Sequence, residues 1–332
     1  MTVLVTGGTG FVGSHAAARL VESGTAVRLL VRDPTKLTRV PALVDTSSID
    51  GIVGDVTDRE SVARALDGCT AVVHAAAYVS LAERDAAQIE AVNVGGTRLV
   101  VGGAAERGLP AIHVSSVSIF TRERSPITIE APLVEGGGPY TRSKVAAERL
   151  ARELQDKAAR VAIVYPSGVI GPGDPGVSAS HLGLMGWVRT PPKTTSGCAI
   201  VDVRDVALAI ERALRAPPER WMLGGTFLTY TELRAAIARV TGVRRPALPT
   251  PAPILRFAGR AGDLVKRVFP FDYPLTYESM SMATRGRPYD SDATCRALDL
   301  QWRPVDETLA DAIRSFATSG RLKASLAGTL AP

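Results

Sequence analysis

The chain has 332 residues, 45% of them hydrophobic and 22% charged, which supplies apolar material for one large core or a domain carrying a smaller second one and excludes a disordered or fibrous chain. The net charge is +6, from 39 Lys and Arg against 33 Asp and Glu; that mild excess suits an anionic cofactor or substrate, and no dense basic tract or stacking motif points to nucleic acid. Cys69, Cys198 and Cys295 match no metal-ligand spacing and read as buried thiols in a reducing compartment. With no leader before the first strand and no apolar run near the ~18 residues needed for a bilayer span, the expectation is a cytoplasmic chain with no integral membrane segment and no bound metal.

Through about residue 165, short β-branched runs alternate with longer helical patterns. Val3 to Val5 predicts a strand and Phe11 to Ser23 a helix. Ala26 to Val31 is the second strand, a third ends near Ile52-Val53, and a helix follows from Arg59 to Leu66. Ala71 to His74, Ala111 to Val114 and Val161 to Tyr165 are further strands, separated by helices over Ala82 to Arg107 and Tyr140 to Ala158. Uninterrupted apolar strands alternating with helices predict a parallel sheet covered on both faces. After Pro166 the pattern changes: Gly, Pro and Ser accumulate through Gly176, and Pro191-Pro192 breaks the chain again. Helices are expected over Asp205 to Leu214 and Thr231 to Val240, with a short strand over Trp221 to Leu223 between them. A proline-punctuated region from Pro246 to Pro274 carries a basic amphipathic piece, Ile254 to Val268. It reads either as a solvated helix with one core face or as a segment meeting a membrane surface or an anionic substrate.

Thr6-Gly7-Gly8-Thr9-Gly10-Phe11-Val12-Gly13 follows the first strand and opens the first helix. Gly7 can take the dihedrals of a tight turn, Gly10 lets the backbone approach a pyrophosphate, and Gly13 lets helix and strand pack closely. The helix N-terminus offers unpaired N–H groups and a positive dipole end to phosphate. Val31-Arg32-Asp33-Pro34 ends the second strand, where a site for NAD places an acid on the ribose 2′-hydroxyl. Arg32 would pair with a 2′-phosphate instead, with Lys36 as a second partner, so NADP(H) is favoured; a one-residue shift would restore Asp33 and NAD(H). Asp55, after Gly54, can accept from the adenine amino group while Val56 packs on the ring; as a plain loop acid it would cap the helix from Arg59.

Tyr140 and Lys144 stand at i and i+4 on one helix face. A nearby ammonium favours phenolate, so Tyr140 could give a proton to a carbonyl oxygen or take it back from an alcohol. Ser115, Ser116 and Ser118 follow a strand at the carboxyl end where open α/β sheets bind ligands, and Ser116 is the choice for orienting a substrate oxygen. His74 reads as a packed residue, and the alanines after it, Ala75, Ala76 and Ala77, allow close approach to a cofactor. Asn93 reads as a helix pin. His15, His113 and His181 show no partner pattern.

These residues resemble the extended short-chain dehydrogenase/reductase superfamily, its NAD-dependent epimerase/dehydratase group. Six motifs stand in order: Thr6 to Gly13, Asp55-Val56, His74 to Ala77, Asn93 to Thr97, Ser115-Ser116 and Tyr140 to Lys144. The stretch Pro166 to Pro172 is similar to the loop after the sixth strand, which puts Pro166 and Val169 beside the nicotinamide, and Val201 to Ala207 to a later Val-x-Asp-Val-Ala element. Val31 to Pro34 and Trp221 to Gly225 look like the dihydroflavonol 4-reductase and cinnamoyl-CoA reductase branch, which uses NADPH.

The resemblance implies a Rossmann-type doubly wound parallel sheet over 1–170, with 197–215 packing back onto it, and a smaller, mostly helical substrate domain over 171–332. It implies a Ser116–Tyr140–Lys144 triad, a carbonyl or alcohol as small-molecule substrate met by Tyr78, Ser116 and Tyr140, and a homodimer through the helices near Ala82 to Arg107 and Tyr140 to Ala158. The pocket is expected from Tyr78 to Leu81, Val169 to Trp187 and residues beyond Pro249. A nucleotide-sugar epimerase retaining NAD, a 3-beta-hydroxysteroid dehydrogenase-like enzyme and an NADP(H)-sensing regulatory protein are the competing readings. Two departures, Tyr165 in place of a frequent Arg and Thr121 in place of a frequent Gly, are expected near the substrate.

Overall fold

A computed structural model describes residues 1–39, 49–80, 83–176, 178–190, 192–193, 196–246, 248–249, 251–266 and 277–332. Leu81 and Val177 of the expected pocket, Pro191, and residues 267–274 of the proline-punctuated region lie outside the described residues. The first half runs β1 (Thr2–Thr6), α1 (Phe11–Glu22), β2 (Ala26–Val31), β3 (Ile49–Val53), α2 (Arg59–Leu66), β4 (Ala71–His74), α3 (Ala86–Glu90), α4 (Gly96–Glu106), β5 (Ala111–Val114), α5 (Pro139–Asp156) and β6 (Val161–Pro166). It continues as β7 (Gly168–Ile170), α6 (Ala179–Arg189), β8 (Pro192–Lys193), β9 (Gly197–Asp202), α7 (Val203–Ala213), β10 (Arg220–Leu223) and β11 (Thr226–Thr229). The chain ends with α8 (Tyr230–Thr241), β12 (Leu248–Pro249), α9 (Ala252–Lys266), α10 (Tyr277–Thr284), α11 (Asp292–Ala297), α12 (Val305–Thr318) and α13 (Ala324–Ala327).

Seven strands form one parallel sheet in the order β10-β6-β5-β4-β1-β2-β3. The order reverses between β1 and β4, the switch point at which a doubly wound, Rossmann-type sheet opens a crevice at its carboxyl edge. Alternation along each strand builds both faces. Val3, Val5, Val27, Leu29, Val73, Ile112 and Val164 point to one side, where α1 and α7 pack on each other, with Ala16, Ala17, Leu20, Val206 and Ile210 buried there. Leu4, Leu30, Val72, Ala111, Ile163 and Tyr165 point to the other, against Val62 and Leu66 of α2, Val100 and Val101 of α4, and Val145 and Ala151 of α5.

A separate core joins α6, α8 and α12 to a three-stranded sheet, β11-β9-β7, through Leu184, Tyr230, Leu233, Ile313 and Phe316. α8 starts on a capping box between Thr229 and Glu232 and stops at Gly242, whose φ of +69° suits a residue with no Cβ. Three features depart from expectation. Arg220–Leu223 joins the main sheet as its seventh strand beside β6, so Val161 to Tyr165 does not close it. The segment after Pro166 contains β7, α6 and β9 rather than plain loop. The helical stretch before Arg107 is interrupted by a π-helical turn, Ala91–Gly95, which carries Asn93.

Candidate active site

The glycine turn leaves β1 at the switch point and rests on the chain after β4. Gly7 has φ +72°, and a Cβ there would lie 2.6 Å from the Ala76 nitrogen, so the turn tolerates only glycine on two counts. A Cβ on Gly13 would lie 2.2 Å from the Gly7 carbonyl oxygen; its absence lets α1 pack on the turn. At Gly10, chain neighbours apart, the only atom of the described residues within 4 Å of such a Cβ is the Gly7 oxygen at 3.2 Å, which leaves open space in front of the first turn of α1. That turn has no side-chain cap and no acid. A dinucleotide pyrophosphate fits this arrangement, with backbone N–H groups and the dipole as its donors.

Thr6, His74, Thr97 and Asn93 form a hydrogen-bonded chain that fixes the floor beside the turn. Thr97 Oγ1 donates to the Asn93 carbonyl at 2.6 Å and so accepts from His74 Nε2 at 3.2 Å. His74 Nδ1 then accepts from Thr6 Oγ1 at 2.7 Å, while Thr6 Oγ1 accepts from the Ala76 N–H at 3.4 Å. Burial, with Lys144 nearby, drives His74 down to about 3, so it is a neutral packed group. The Asn93 side chain clasps Tyr78, accepting from its N–H at 2.8 Å and donating to its carbonyl at 3.1 Å. It also donates to Ser143 Oγ at 2.9 Å, and Ser143 donates to the Tyr140 carbonyl at 2.8 Å. One amide thereby ties the Tyr78 loop to the first turn of α5.

Tyr140 sits half-buried in that first turn, just after Pro139. Lys144, one turn further on, is buried, and its Nζ donates to the Val114 carbonyl at 2.8 Å, at the carboxyl end of β5. Burial lowers the Lys144 ammonium to about 8, although the Glu148 charge pulls the other way. The three serines after β5 separate cleanly. Ser115 donates to Glu148 Oε2 at 2.8 Å, and the Ser118 hydroxyl is buried without a partner among the described residues. Ser116 accepts from the Ser118 N–H at 3.2 Å, capping the short turn Val117–Ile119, which leaves its proton uncommitted among the described residues.

Glu148 was not singled out by sequence reasoning, although it stands at i+4 from Lys144. It is fully buried, and its Oε1 accepts from Tyr165 at 2.6 Å and from Arg152 Nε at 2.7 Å. The placement of Tyr165 corrects the expectation of a substrate-side residue. Alternation along β6 turns its ring into the core on the α5 side, packed edge-on to Phe120, and burial, with the Glu148 charge beside it, raises its phenol well above the usual range. Thr121 is half-buried and donates its N–H to the Pro132 carbonyl.

At the far end of the crevice, Arg32 directly follows β2, exposed and with no hydrogen bond or ion pair among the described residues. Asp33 closes the turn after it: Oδ1 accepts from the Thr35 N–H at 3.0 Å and hydroxyl at 2.6 Å, which lowers its carboxyl. Lys36, expected beside a phosphate, lies 3.6 Å from the Asp33 carboxylate. Asp55 Oδ1 accepts from Thr57 N–H and Oγ1, each at 2.9 Å, while Asp58 caps α2; the capping alternative raised for Asp55 therefore belongs to Asp58. Val56 is buried beneath this loop, against Gly96.

Beyond Pro166 and Val169 the loop is held by a pair that sequence reasoning missed. Asp174 Oδ2 accepts from His181 Nδ1 at 2.5 Å, and His181 Nε2 accepts from the Gly171 N–H at 3.2 Å, which fixes the ring tautomer. His181 packs on Phe11 of the glycine turn and on Phe316 of α12, with ring centroids 4.8 Å apart in each case. No sequence spacing signals this pair, because loop closure alone brings Asp174 to the helix.

The model of the NAD dependent epimerase/dehydratase family matches residues 3–224. A putative dihydroflavonol 4-reductase of Synechocystis sp. is 28% identical over 332 residues, 96% of this chain and 95% of that one. Sterol demethylase protein B of Methylococcus capsulatus is 28% identical over 334 residues, 97% of this chain and 100% of that one. The solved structure of gox2253 superposes with a TM-score of 0.81 at 30% identity, over 97% of this chain and 99% of that one.

Proposed function

The chain belongs to the NAD dependent epimerase/dehydratase family, and from that footing we propose that it is an NADP(H)-dependent reductase of a ketone or aldehyde, working equally as the dehydrogenase of the alcohol. The observation that carries the reading is the buried Lys144 ammonium, one turn after Tyr140 on α5 and bonded to the last carbonyl of β5, the strand that Ser115 and Ser116 follow.

A nicotinamide, when bound, supplies or accepts the hydride. Tyr140 donates its proton to the carbonyl oxygen as negative charge builds there. Lys144 stabilises the charge left on the Tyr140 oxygen, and its own cation persists up to about pH 8. Ser116, with its hydroxyl proton uncommitted, donates a second hydrogen bond to the same substrate oxygen. Gly7, Gly10, Gly13, Thr9, Phe11 and Val12 hold the pyrophosphate end, Ala75 to Ala77 line its approach, and Asp55 with Val56 takes the adenine. Arg32 supports NADP(H): an exposed guanidinium with no acidic partner among the described residues is suited to a 2′-phosphate, whereas the carboxylate beside it is committed to its own turn. The similarity over nearly the whole chain to a protein named as a dihydroflavonol 4-reductase agrees with this choice of reaction.

The test is a panel of aldehydes and ketones followed by NADPH absorbance. Turnover is expected for the wild type, with Tyr140→Phe losing about 10² or more in kcat. Arg32→Ala should raise the NADPH KM about tenfold or more while leaving NADH unaffected. Normal turnover in Tyr140→Phe would end the acid–base assignment. Stoichiometric NAD retained through purification, with interconversion of nucleotide sugars, would replace the reductase by an epimerase.

A further inference from the structure

Helix α9 presents a face that no described part of the fold covers. Its extensive packing is against α10, and its buried side carries Gly259 and Gly262. On the other side Ile254, Phe257, Leu264 and Val265 are 61%, 71%, 63% and 47% exposed. Only Met1, Val53 and Val79 match them elsewhere among the described residues, so the exposed large apolar side chains are concentrated on one short helix. With Ala261 they recur at i, i+3, i+7, i+10 and i+11, a single stripe on a 3.6-residue turn.

The charges of this stretch of sequence are predominantly basic. From residue 252 to 268 the sequence carries Arg256, Arg260, Lys266 and Arg267 against the single acid Asp263. Arg260 adjoins Phe257 and Leu264 at helical spacing, and its guanidinium stacks 4.7 Å over the Tyr277 ring of α10. Arg285, just past α10, is exposed and acts on the same phenol: a Ser281 hydrogen bond, then Arg285 and Arg260, lower Tyr277. Arg260 on α9 and Arg285 past α10 thus bring two guanidinium groups to the Tyr277 ring of the helix packed on α9, on a chain of net charge +6. A second copy pairing through this face would set like charges against each other. No described helix is long and apolar enough to cross a membrane. An apolar stripe flanked by arginines matches the interface of an anionic bilayer, where side chains enter the acyl boundary and guanidinium groups meet phosphate.

We propose that α9 docks this protein on membrane surfaces bearing anionic phospholipids, with Ile254, Phe257, Leu264 and Val265 inserted and Arg260 and Arg285 on the headgroups. The proposal is independent of the reaction assigned above, and its readout needs no turnover. The full chain would be co-sedimented with vesicles of phosphatidylcholine alone and of phosphatidylcholine mixed with phosphatidylglycerol. Binding is expected to the mixed vesicles and to weaken with salt. Phe257→Glu should lower the partition coefficient about tenfold or more, and Arg260→Gln about fivefold. Both positions are on the surface, so circular dichroism and the melting temperature should match the wild type and exclude misfolding as the cause. Equal or absent binding to the two vesicle types overturns the proposal. So does a dimer in vesicle-free solution that Phe257→Glu dissolves, because the stripe would then belong to a second copy.

Discussion

Acidification from pH 7 to pH 5 should weaken the fold through two imidazoles that have no room to be charged. His74 and His113 face each other on β4 and β5 with ring centroids 5.8 Å apart, both buried and both within reach of the Lys144 charge. Burial first, then Lys144, lowers His74 to about 3 and His113 well below its usual range, with His74 adding to the shift of His113. In the unfolded chain both titrate near 6.5. Between pH 7 and pH 5 the unfolded state therefore takes up protons that the native state refuses, and stability falls as the pH falls. A group held neutral at a pH 1.5 units below its unfolded pKa costs about 2 kcal/mol, so the pair costs about 4 kcal/mol over this interval. His113→Leu removes half of it at similar side-chain volume. Neither ring nitrogen of His113 has a hydrogen-bond partner among the described residues, so the variant should also be about 1 kcal/mol or more stabler at pH 7. Urea unfolding of both proteins at pH 7 and pH 5 reads the difference, because groups common to both cancel. Equal losses of stability on acidification in wild type and His113→Leu would refute the reasoning.

Glu148→Gln should shift the alkaline limb of the pH–kcat/KM profile to lower pH, because the Glu148 charge holds Lys144 up towards about 8 and its removal leaves the desolvation of Lys144 unopposed. The same variant removes the charge beside the half-buried Arg152 and leaves one accepting oxygen where the carboxylate had two, so either Ser115 or Tyr165 loses its acceptor, for a loss of about 2 kcal/mol or more in unfolding free energy; an unmoved alkaline limb would sever the link between Glu148 and Lys144. Gly13→Ala puts a methyl group 2.2 Å from the Gly7 oxygen and must lift α1 off the turn. NADPH affinity should fall about tenfold or more by titration calorimetry, and wild-type affinity would show that the helix–turn contact does not shape the dinucleotide site.

The first half of the fold was legible because most of its strands, β3 (IDGIV) excepted, are short apolar runs, and the helices between them show one apolar face. The second half was not. β7 has three residues, too few for any period to emerge, and α6 carries Gly183 and Gly186 within eleven residues, so its composition argues against a helix. What holds α6 is tertiary: Leu184, Met185 and Val188 are buried in the second core, and Ser178 caps it by accepting from the His181 N–H. The π-helical turn over Ala91–Gly95 left no mark in the hydrophobic pattern, because one residue inserted between two helices changes phase without changing composition.

The candidate site was legible to the extent that a parallel sheet makes it so. Thr6, Val31, Val53, His74, Val114 and Pro166 each end a parallel strand, so whatever follows them meets at one edge, however distant in sequence. That geometry alone gathers the glycine turn, Arg32, Asp55, Ala75 to Ala77, Ser116 and Val169, and no alignment of side chains needs to be guessed. Residues that act from behind the edge escape such reasoning. Tyr165 precedes the end of β6 by one residue, and that offset turns its side chain from the crevice to the α5 face, onto Glu148. A substitution at Tyr165 should therefore reach a substrate only through Glu148 and its neighbours Ser115 and Lys144, whereas one at Val169, past the end of the strand, can act directly.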